Sequence, residues 1–266
     1  MVLQTVDPWS IRAGMDTAIA GRMRPAYRAR EYQALRAERR LPVQARLLTV
    51  GAQDAVEWSD RLGRDVRSIP NGAELAVRSG TRRDGPVVCF VGSLNYGPNI
   101  DSVGVLINKV APLVWQQVPD ARFVIAGRRP APAVLALAGD RVEILANVPT
   151  VLDVFHGADV AVFPDEHGVG IRNSVREALA AGTPVVATPV AAREQEAHPL
   201  LTVEEDIGRI ADRVVGYLTE PRTEQSGTES EAAVRTWGVV TREYLDELRL
   251  AITQDGHNPQ PRSSPV

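Results

Sequence analysis

Two glycine-containing segments carry the residue types best suited to binding a charged ligand. FVGSLNYGPN, residues 90–99, has a glycine and a serine directly after an apolar run. FPDEHGVGIRNSVREALAAGTPVVAT, residues 163–188, places Gly168 and Gly170 just before a predicted helix that begins near Ile171. Glycine lets the backbone approach a ligand closely, and the first amides of a helix lie at the positive end of its dipole. The second segment therefore predicts a diphosphate site.

Two charged side chains of the second segment fit such a ligand. Arg172 falls in the predicted first helical turn, where acidic residues are usual, and an anionic ligand would explain a cation there. Glu177 lies five residues further, and its carboxylate can accept two hydroxyl hydrogen bonds, as a ribose requires. On spacing alone a second interpretation stays open, in which both are ordinary surface charges.

Composition excludes several other classes of protein. The formal net charge of −3 argues against nucleic-acid binding, which usually shows a basic excess. The first glycine segment lacks the complete dinucleotide-binding pattern, and Lys109 is the single lysine, so no Walker lysine is present. No apolar run suits a membrane span and the first residues do not resemble a signal peptide, so we expect a cytoplasmic location. Cys89 lies within an apolar run and is predicted to be a buried structural thiol.

Strand-like and helix-like segments alternate from Pro86 onward. The apolar β-rich runs are residues 87–92, 121–127, 141–145, 158–164, 183–188 and 199–203. The helical stretches between and after them are residues 100–117, 131–138, 150–156, 171–181 and 204–218. Near-continuous apolar strands joined by helices predict an α/β fold, a Rossmann-like parallel sheet with helices on both faces. Ligands of such sheets bind beyond the carboxyl ends of the strands.

The two ends of the chain differ from this central pattern. Residues 1–46 hold nine arginines against four acids, and residues 12–40 are predicted to form one helix. Two interpretations stay open for that helix: weak contact with an anionic membrane surface, or a solvated helix packed on a neighbour. A strand at residues 45–51 and a helix at 52–62 follow. Residues 229–253 predict a last helix, kinked at Trp237–Gly238, and residues 254–266 predict a disordered tail.

Four segments together resemble one enzyme family. FVGSLNYGPN, PDARFVIAG, NVPTVLDVFHGADVAVFP and GVGIRNSVREALAAGTPVVAT occur in that order and at suitable intervals. They are similar to the donor domain of the retaining GT-B glycosyltransferases of glycosyl transferases group 1. The resemblance implies the C-terminal half of a GT-B fold at residues 86–221, followed by a C-terminal crossover helix at 229–253. It also implies a helical remnant of the acceptor-side domain, with the interdomain linker, at residues 1–78.

The resemblance also implies where a nucleotide-sugar donor would lie. Gly92 and Ser93 would line the diphosphate, Gly127 and Arg128 would lie near the nucleotide, and backbone around Val148 would meet the base. Gly168, Gly170, Ile171 and Arg172 would form the loop facing phosphate and sugar, while Glu177 would hold the ribose. Arg172 and Glu177 are the residues assigned to catalysis. The family needs no metal or other cofactor for the transfer, so Asp165-Glu166-His167 is not assigned as a metal motif.

Departures from the family pattern keep three functions open. Val169 replaces a glutamate that many members use, Ser174 replaces a usual basic residue, and the segment after Thr188 is short. Only the last ~70–80 residues of a first domain are expected, against about 150 for a whole one, so the chain is predicted to be truncated. The functions are a retaining hexosyltransferase acting on an unknown acceptor, an inactive nucleotide-sugar-binding module or subunit completed by a partner chain, and a nucleotide-sugar epimerase.

Overall fold

Two compact units make up the chain. The computed structural model describes residues 1–5, 8–19, 23–74, 83–168, 171–220 and 235–255. One unit combines Met1–Gly72 with Trp237–Val266, and the other is Ala73–Thr236. The predicted site residue Gly170 and positions 256–266 of the predicted tail lie outside the described residues.

The first unit is built on a short parallel sheet. Its elements begin with β1 (Val2–Thr5), α1 (Trp9–Ile19), α2 (Arg24–Glu38), β2 (Arg46–Thr49), α3 (Ala52–Leu62) and β3 (Val66–Ser68). The strands pair in the order β1-β2-β3. Trp58 of α3 is buried among Ile11, Leu47 and Val66 because the apolar residues of the helix recur on one side. The sequence had indicated β2 and α3 but neither β1 nor β3.

The prediction of one helix over residues 12–40 is wrong. The structure has two helices, α1 and α2, and Met23 precedes the second. Pro25 stands at the start of α2. Proline lacks a backbone amide and its ring clashes with the preceding turn, so it fits the first turn of a helix and not the interior. Pro25 therefore marks the start of a second helix, which the prediction of one helix had missed.

The second unit confirms the predicted α/β fold, a parallel sheet flanked by helices. Its strands are β4 (Val87–Val91), β5 (Arg122–Gly127), β6 (Val142–Ala146), β7 (Val160–Phe163), β8 (Val185–Ala187) and β9 (Leu201–Val203). The helices are α4 (Gly97–Val105), α5 (Ala111–Gln117), α6 (Pro132–Leu135), α7 (Leu152–Gly157), α8 (Asn173–Ala180) and α9 (Ile207–Thr219). A π-helical turn, Leu106–Val110, joins α4 to α5. All residues of β4, β7 and β8 are buried, Cys89 included, which explains their continuous apolar runs.

The strand order creates a reversal in the middle of the sheet. The order is β6-β5-β4-β7-β8-β9, and all the strand pairs are parallel. The chain moves outward from β4 to β6, then returns to the other side of β4 and moves outward again from β7. Val88 of β4 consequently pairs with Phe123 on one side and Val160 on the other. A crevice forms outside the carboxyl ends of strands at such a reversal, here between β4 and β7.

A last helix belongs to the first unit. It is α10, Trp237–Asp255, so the helix contains residues 254 and 255 of the predicted tail. The predicted kink at Trp237–Gly238 is wrong, because Trp237 begins a continuous helix. Glu247 of α10 is 1% exposed and pairs with Arg46, 2.7 Å away, and with Arg67. This buried carboxylate fastens α10 to β2 and β3. Among the described residues, no helix is both long and apolar enough to cross a membrane.

Candidate functional site

Two backbone turns touch at the carboxyl ends of β4 and β5. The Gly92 amide donates to the Ala126 carbonyl at 3.1 Å, and the Leu94 amide donates to the Arg128 carbonyl at 3.0 Å. A Cβ added at Gly127 would lie only 1.7 Å from the Gly92 carbonyl oxygen. No side chain of any size fits there, so position 127 requires glycine. The two turns form a backbone surface beside the crevice.

A third loop joins this surface. The Asn147 amide donates to the Gly127 carbonyl at 2.8 Å, and the Asn147 side-chain oxygen accepts from the Arg129 amide at 3.2 Å. Asn147 has a left-handed φ of 56°, which asparagine tolerates better than most residues. Val148 follows directly and is half-buried against the core. The structure therefore brings Gly92, Gly127 and the loop carrying Val148 to one edge of the sheet.

Asn99 joins the first glycine turn to the loop after β7. Its side-chain nitrogen donates to the Ser93 carbonyl at 2.9 Å, and its side-chain oxygen accepts from Arg172 Nη1 at 3.0 Å. Ser93 itself is exposed, while Asn99 is buried. Asparagine suits this position because its amide is a donor and an acceptor at once.

Arg172 lies in the crevice between β4 and β7. Its Nη1 is 2.8 Å from Asp165 Oδ2, and its guanidinium carbon is 5.1 Å from the Phe90 ring centroid and 4.9 Å from that of Phe163. Cations favour the faces of aromatic rings at such distances. The side chain is 14% exposed. Nε and Nη2 are buried, and no hydrogen-bond partner for either is found in the described parts of the chain.

The helix after this loop begins later than predicted. Arg172 has an extended conformation, with ψ at 97°, and α8 begins at Asn173 rather than near Ile171. Arg172 therefore precedes the first turn. Among the residues that the structure describes, no side chain caps the start of α8, and its first turn contains no acidic residue. The positive end of the helix dipole therefore has no carboxylate within its own first turn.

Asp165 is a site residue that the sequence analysis did not select. It lies after β7, separated from the strand only by Pro164. Its Oδ1 accepts from Ser102 Oγ at 2.6 Å, and its backbone oxygen accepts from Thr188 Oγ1 at 2.8 Å. Burial raises the pKa of Asp165, although Arg172, the Ser102 hydroxyl and His167 oppose the shift. Burial likewise lowers the pKa of Arg172, and Asp165 opposes it. An acid at the carboxyl end of an apolar strand was the signal that could have identified Asp165.

Glu177 lies one turn into α8 and has a different environment. Its side chain is half-buried, and the described residues supply its carboxylate with no hydrogen bond or ion pair. Burial alone raises the pKa of this carboxyl above its ordinary value. A partly desolvated acceptor without a protein donor is well suited to hydroxyl groups of a ligand.

The remaining predicted residues surround the Arg172 cluster without a hydrogen bond to it in the described parts of the chain. Arg128 is exposed, whereas Gly168 and Ile171 are half-buried on the β7–α8 connection. His167 Nε2 is 3.1 Å from Asp101 Oδ2, with both side chains about half exposed. Across the described ranges, histidine, cysteine and acidic side chains form no group of three or more that could hold a metal.

The short segment after Thr188 closes on the start of α8. Gln195 Nε2 donates to the Arg172 carbonyl at 3.1 Å, and Arg176 Nη2 donates to the Glu194 carbonyl at 3.3 Å. Glu194 has a left-handed φ of 64°. The Gln195 contact holds the backbone of Arg172, while Asn99 and Asp165 hold its side chain. Sequence reasoning had noted only that this segment is short.

The close approach of Gly127 to Gly92 gives a direct test of the site's geometry. We expect Gly127→Ala to destabilise the fold by about 3 kcal/mol or more, because the added methyl overlaps the Gly92 carbonyl. Gly104→Ala is the matched control, since a Cβ there meets nothing within 4 Å in helix α4. That change should be neutral or stabilise by up to about 1 kcal/mol. Urea denaturation measures both, and equal midpoints for the two variants would contradict the geometry.

Glu177 gives a test based on pH. A carboxyl whose pKa is raised on folding contributes stability below its unfolded pKa, and this stability is lost as pH rises through the folded pKa. The ordinary value is 4.5. Replacing the carboxyl by an uncharged amide should therefore stabilise the fold at neutral pH. We expect Glu177→Gln to raise the melting temperature at pH 7 by a few degrees and to leave it unchanged below pH ~4.

Glu166 supplies a control of opposite sign. Lys109 donates to it at 2.8 Å and lowers its pKa, so its contribution is lost as pH falls. Glu166→Gln should therefore lower the melting temperature slightly at pH 7, because the pair is exposed. A higher melting temperature for both variants at pH 7 would show that the buried environment of Glu177 is not the cause.

Known proteins resemble this chain in sequence. The family model for glycosyl transferases group 1 matches residues 85–220, just over half of the chain. Phosphatidyl-myo-inositol mannosyltransferase of Mycobacterium tuberculosis is 29% identical over 214 residues, which is 72% of this chain and 56% of that protein. Its counterpart in Mycolicibacterium smegmatis is 28% identical over 212 residues, or 72% and 54%. The chain thus spans about half the length of these curated relatives.

Solved structures have the same fold. Anabaena HepE in complex with UDP and glucose superposes with a TM-score of 0.67 at 14% identity, over 93% of this chain and 71% of HepE. WaaG, a glycosyltransferase involved in lipopolysaccharide biosynthesis, gives 0.63 at 16% identity, over 92% and 70%. TarM gives 0.61 at 16% identity, over 82% and 45%. The fold is that of the GT-B enzymes, and the chain belongs to the glycosyl transferases group 1 family.

Proposed function

We propose that this chain binds a nucleoside diphosphate sugar at the β4–β7 crevice and takes part in transfer of the sugar to an acceptor. The observation that carries the proposal is the buried guanidinium of Arg172, whose Nε and Nη2 lack acceptors among the described residues. Buried donors without partners are costly, and those of a cation more so. A diphosphate would supply the missing acceptor oxygens and a compensating negative charge.

The start of α8 supports the same ligand. It lacks a capping side chain and an acidic first turn, and it follows Arg172 directly. The touching turns at Gly92 and Gly127 add a surface where these two residues leave the backbone uncovered by side chains of their own. A bulky anion can therefore approach the backbone on one side and the helix start on the other.

Glu177 and Val148 are proposed to hold the nucleoside. The Glu177 carboxylate is the proposed acceptor for two ribose hydroxyls, since no protein donor in the described chain occupies it. Backbone around Val148 is proposed to meet the base, because hydrogen bonds from Asn147 hold that loop beside Gly127. Gly168, Gly170 and Ile171 are proposed to face the sugar, and no metal or other cofactor is proposed for the transfer.

The proposed reaction develops charge on the leaving group. The bond between the anomeric carbon and the diphosphate breaks, a bond to the acceptor oxygen forms, and the acceptor proton leaves to the diphosphate or solvent. Arg172 and the α8 amides would stabilise the negative charge that grows on the departing diphosphate. The family resemblance leads us to propose a hexose donor and retention of the anomeric configuration. A partner chain that supplies the acceptor domain is proposed only for the second function, in which this chain binds the donor without transferring the sugar.

A second function is favoured by two particular residues. Val169 and Ser174 stand where many family members have a glutamate and a basic residue, which favours a module that binds the donor without transferring it. Such a module would act alone or with a partner chain that supplies the acceptor domain. An epimerase is the third candidate, and it would interconvert sugar epimers with no acceptor present.

Calorimetric titration followed by product analysis tests the function. We expect nucleoside diphosphates and at least one of UDP-glucose and GDP-mannose to bind, and slow donor hydrolysis to release a sugar of unchanged anomeric configuration. Proton NMR of the fresh product distinguishes the anomers. Binding without turnover would support the module instead, and epimer formation would support an epimerase. Absence of binding by every nucleoside diphosphate would refute the donor site itself.

Arg172 gives the sharpest mutational prediction. We expect Arg172→Ala to weaken nucleoside diphosphate binding about 10- to 100-fold, because one or more charge-assisted hydrogen bonds are lost. Binding of the corresponding nucleoside should change less than about threefold, since it has no phosphate. Isothermal titration measures both affinities, and equal losses for the two ligands would refute a phosphate role.

Two further variants show whether a folding defect, rather than loss of a phosphate contact, causes the weaker binding. Arg172→Lys keeps the charge beside Asp165 but removes the guanidinium fork, so it should fold and still bind the diphosphate more weakly. Arg209→Ala removes an exposed arginine from α9 and should leave both affinities unchanged. Thermal melting establishes that each variant is folded before titration.

A further inference from the structure

The exposed side of α2 concentrates positive charge. Six arginines lie within and just after this helix, all of them exposed: Arg24, Arg28, Arg30, Arg36, Arg39 and Arg40. They belong to a chain whose formal net charge is −3. The positive charge is therefore local to this helix and not a property of the whole surface.

Neighbouring acids do not neutralise this helix face. Between residues 23 and 44 the acids are Glu31 and Glu38. Glu31 is half-buried and pairs with Arg61 at 3.4 Å. Glu38 is 1% exposed and accepts a hydrogen bond from the Ser10 amide at 3.0 Å. Both carboxylates thus point toward the packed side of α2, and the exposed side carries no acid within this range.

Part of this charge recurs on one side of the helix. Arg28, Tyr32 and Arg36 are spaced at i, i+4 and i+8, so their side chains lie on neighbouring turns of one side, and Arg40 follows in the turn after the helix. Tyr32 is 65% exposed. Arg39 donates to the Arg61 carbonyl at 3.1 Å. For Arg28, Arg36 and Arg40 the described residues offer no side-chain hydrogen bond or ion pair. Within the described parts of the chain, these three exposed guanidinium groups are therefore open to an anionic partner.

We propose that this arginine face, Arg24 to Arg40 on the exposed side of α2, docks on a membrane surface that contains anionic lipids. Clusters of four to eight basic residues on a helix bind such surfaces through the headgroup charge. Arginine stems and an exposed tyrosine add apolar area that can enter the headgroup region. Several exposed cations close together suit a surface with many anionic headgroups, and this inference is independent of the donor site in the other unit.

Vesicle sedimentation tests the proposal on the full chain. We expect binding to phosphatidylcholine vesicles that contain phosphatidylglycerol, none to phosphatidylcholine alone, and weakening as salt is added. The triple variant Arg28→Ala, Arg36→Ala and Arg40→Ala should bind the anionic vesicles about 100-fold more weakly, at about fivefold for each arginine. Its melting temperature should match that of the unaltered chain, because none of the three side chains is packed.

A second triple variant distinguishes the effect of this arginine face on vesicle binding from the effect of net charge. Arg122→Ala, Arg209→Ala and Arg242→Ala together remove three exposed arginines from elsewhere and should leave vesicle binding unchanged. Equal loss in both triple variants, or no binding of the unaltered chain to anionic vesicles, would overturn the proposal. Tighter binding to single-stranded RNA than to the vesicles at the same salt, lost in the α2 variant, would assign the face to nucleic acid instead.

Discussion

The buried guanidinium of Arg172 is the constraint on which the rest of the second unit depends. It is fixed by Asp165 at 2.8 Å and Asn99 at 3.0 Å, and its guanidinium carbon lies over the neighbouring rings of Phe90 and Phe163, 5.1 and 4.9 Å from their centroids. Burial disfavours the charged form of both ion-pair partners, and their pKa directions show that desolvation is the larger cause for each. A charged pair held at this cost is a poor source of stability. Its place at the sheet reversal fits the proposed role of the pair in binding an anionic ligand.

The sheet explains why these groups meet. Gly92 directly follows β4 and Asp165 lies shortly after β7, and the reversal of strand order makes the two strands neighbours. Asn99 connects the turn after β4 with the loop after β7, while Gly127 admits the β5 turn against the same surface. Apart from the contact of Asn99 with Ser93, these contacts join segments that lie far apart in the sequence. The site therefore depends on the pairing of β4 with β5 and with β7.

Much of the second unit could be predicted because its strands are buried on both faces. Their apolar runs are continuous, and observed strand limits differ from the predicted ones by at most two residues at each end. Arg172 was identifiable because a cation at a helix start is unusual. Its pairing with Asp165 was not, since the nine-residue loop 164–172 can orient both side chains in many ways. Whether the predicted site residues bind a donor stays a prediction.

The first unit was less predictable for a different reason. Its strands β1 and β3 have four and three residues, too few for a periodic pattern to be distinct. The arginine-rich stretch had suggested one helix, and Pro25 was the overlooked evidence for two. The structure also shows that the acids of α2 are buried or half-buried while its arginines are exposed. Composition alone could not indicate that difference.

A crystal structure with a bound nucleoside diphosphate would test the central claim most directly. The account predicts phosphate oxygens within hydrogen-bond distance of the α8 amides and of Arg172 Nε or Nη2. A diphosphate bound elsewhere, for instance beside Arg83, Arg122 and Arg141 at the opposite ends of the strands, would contradict it.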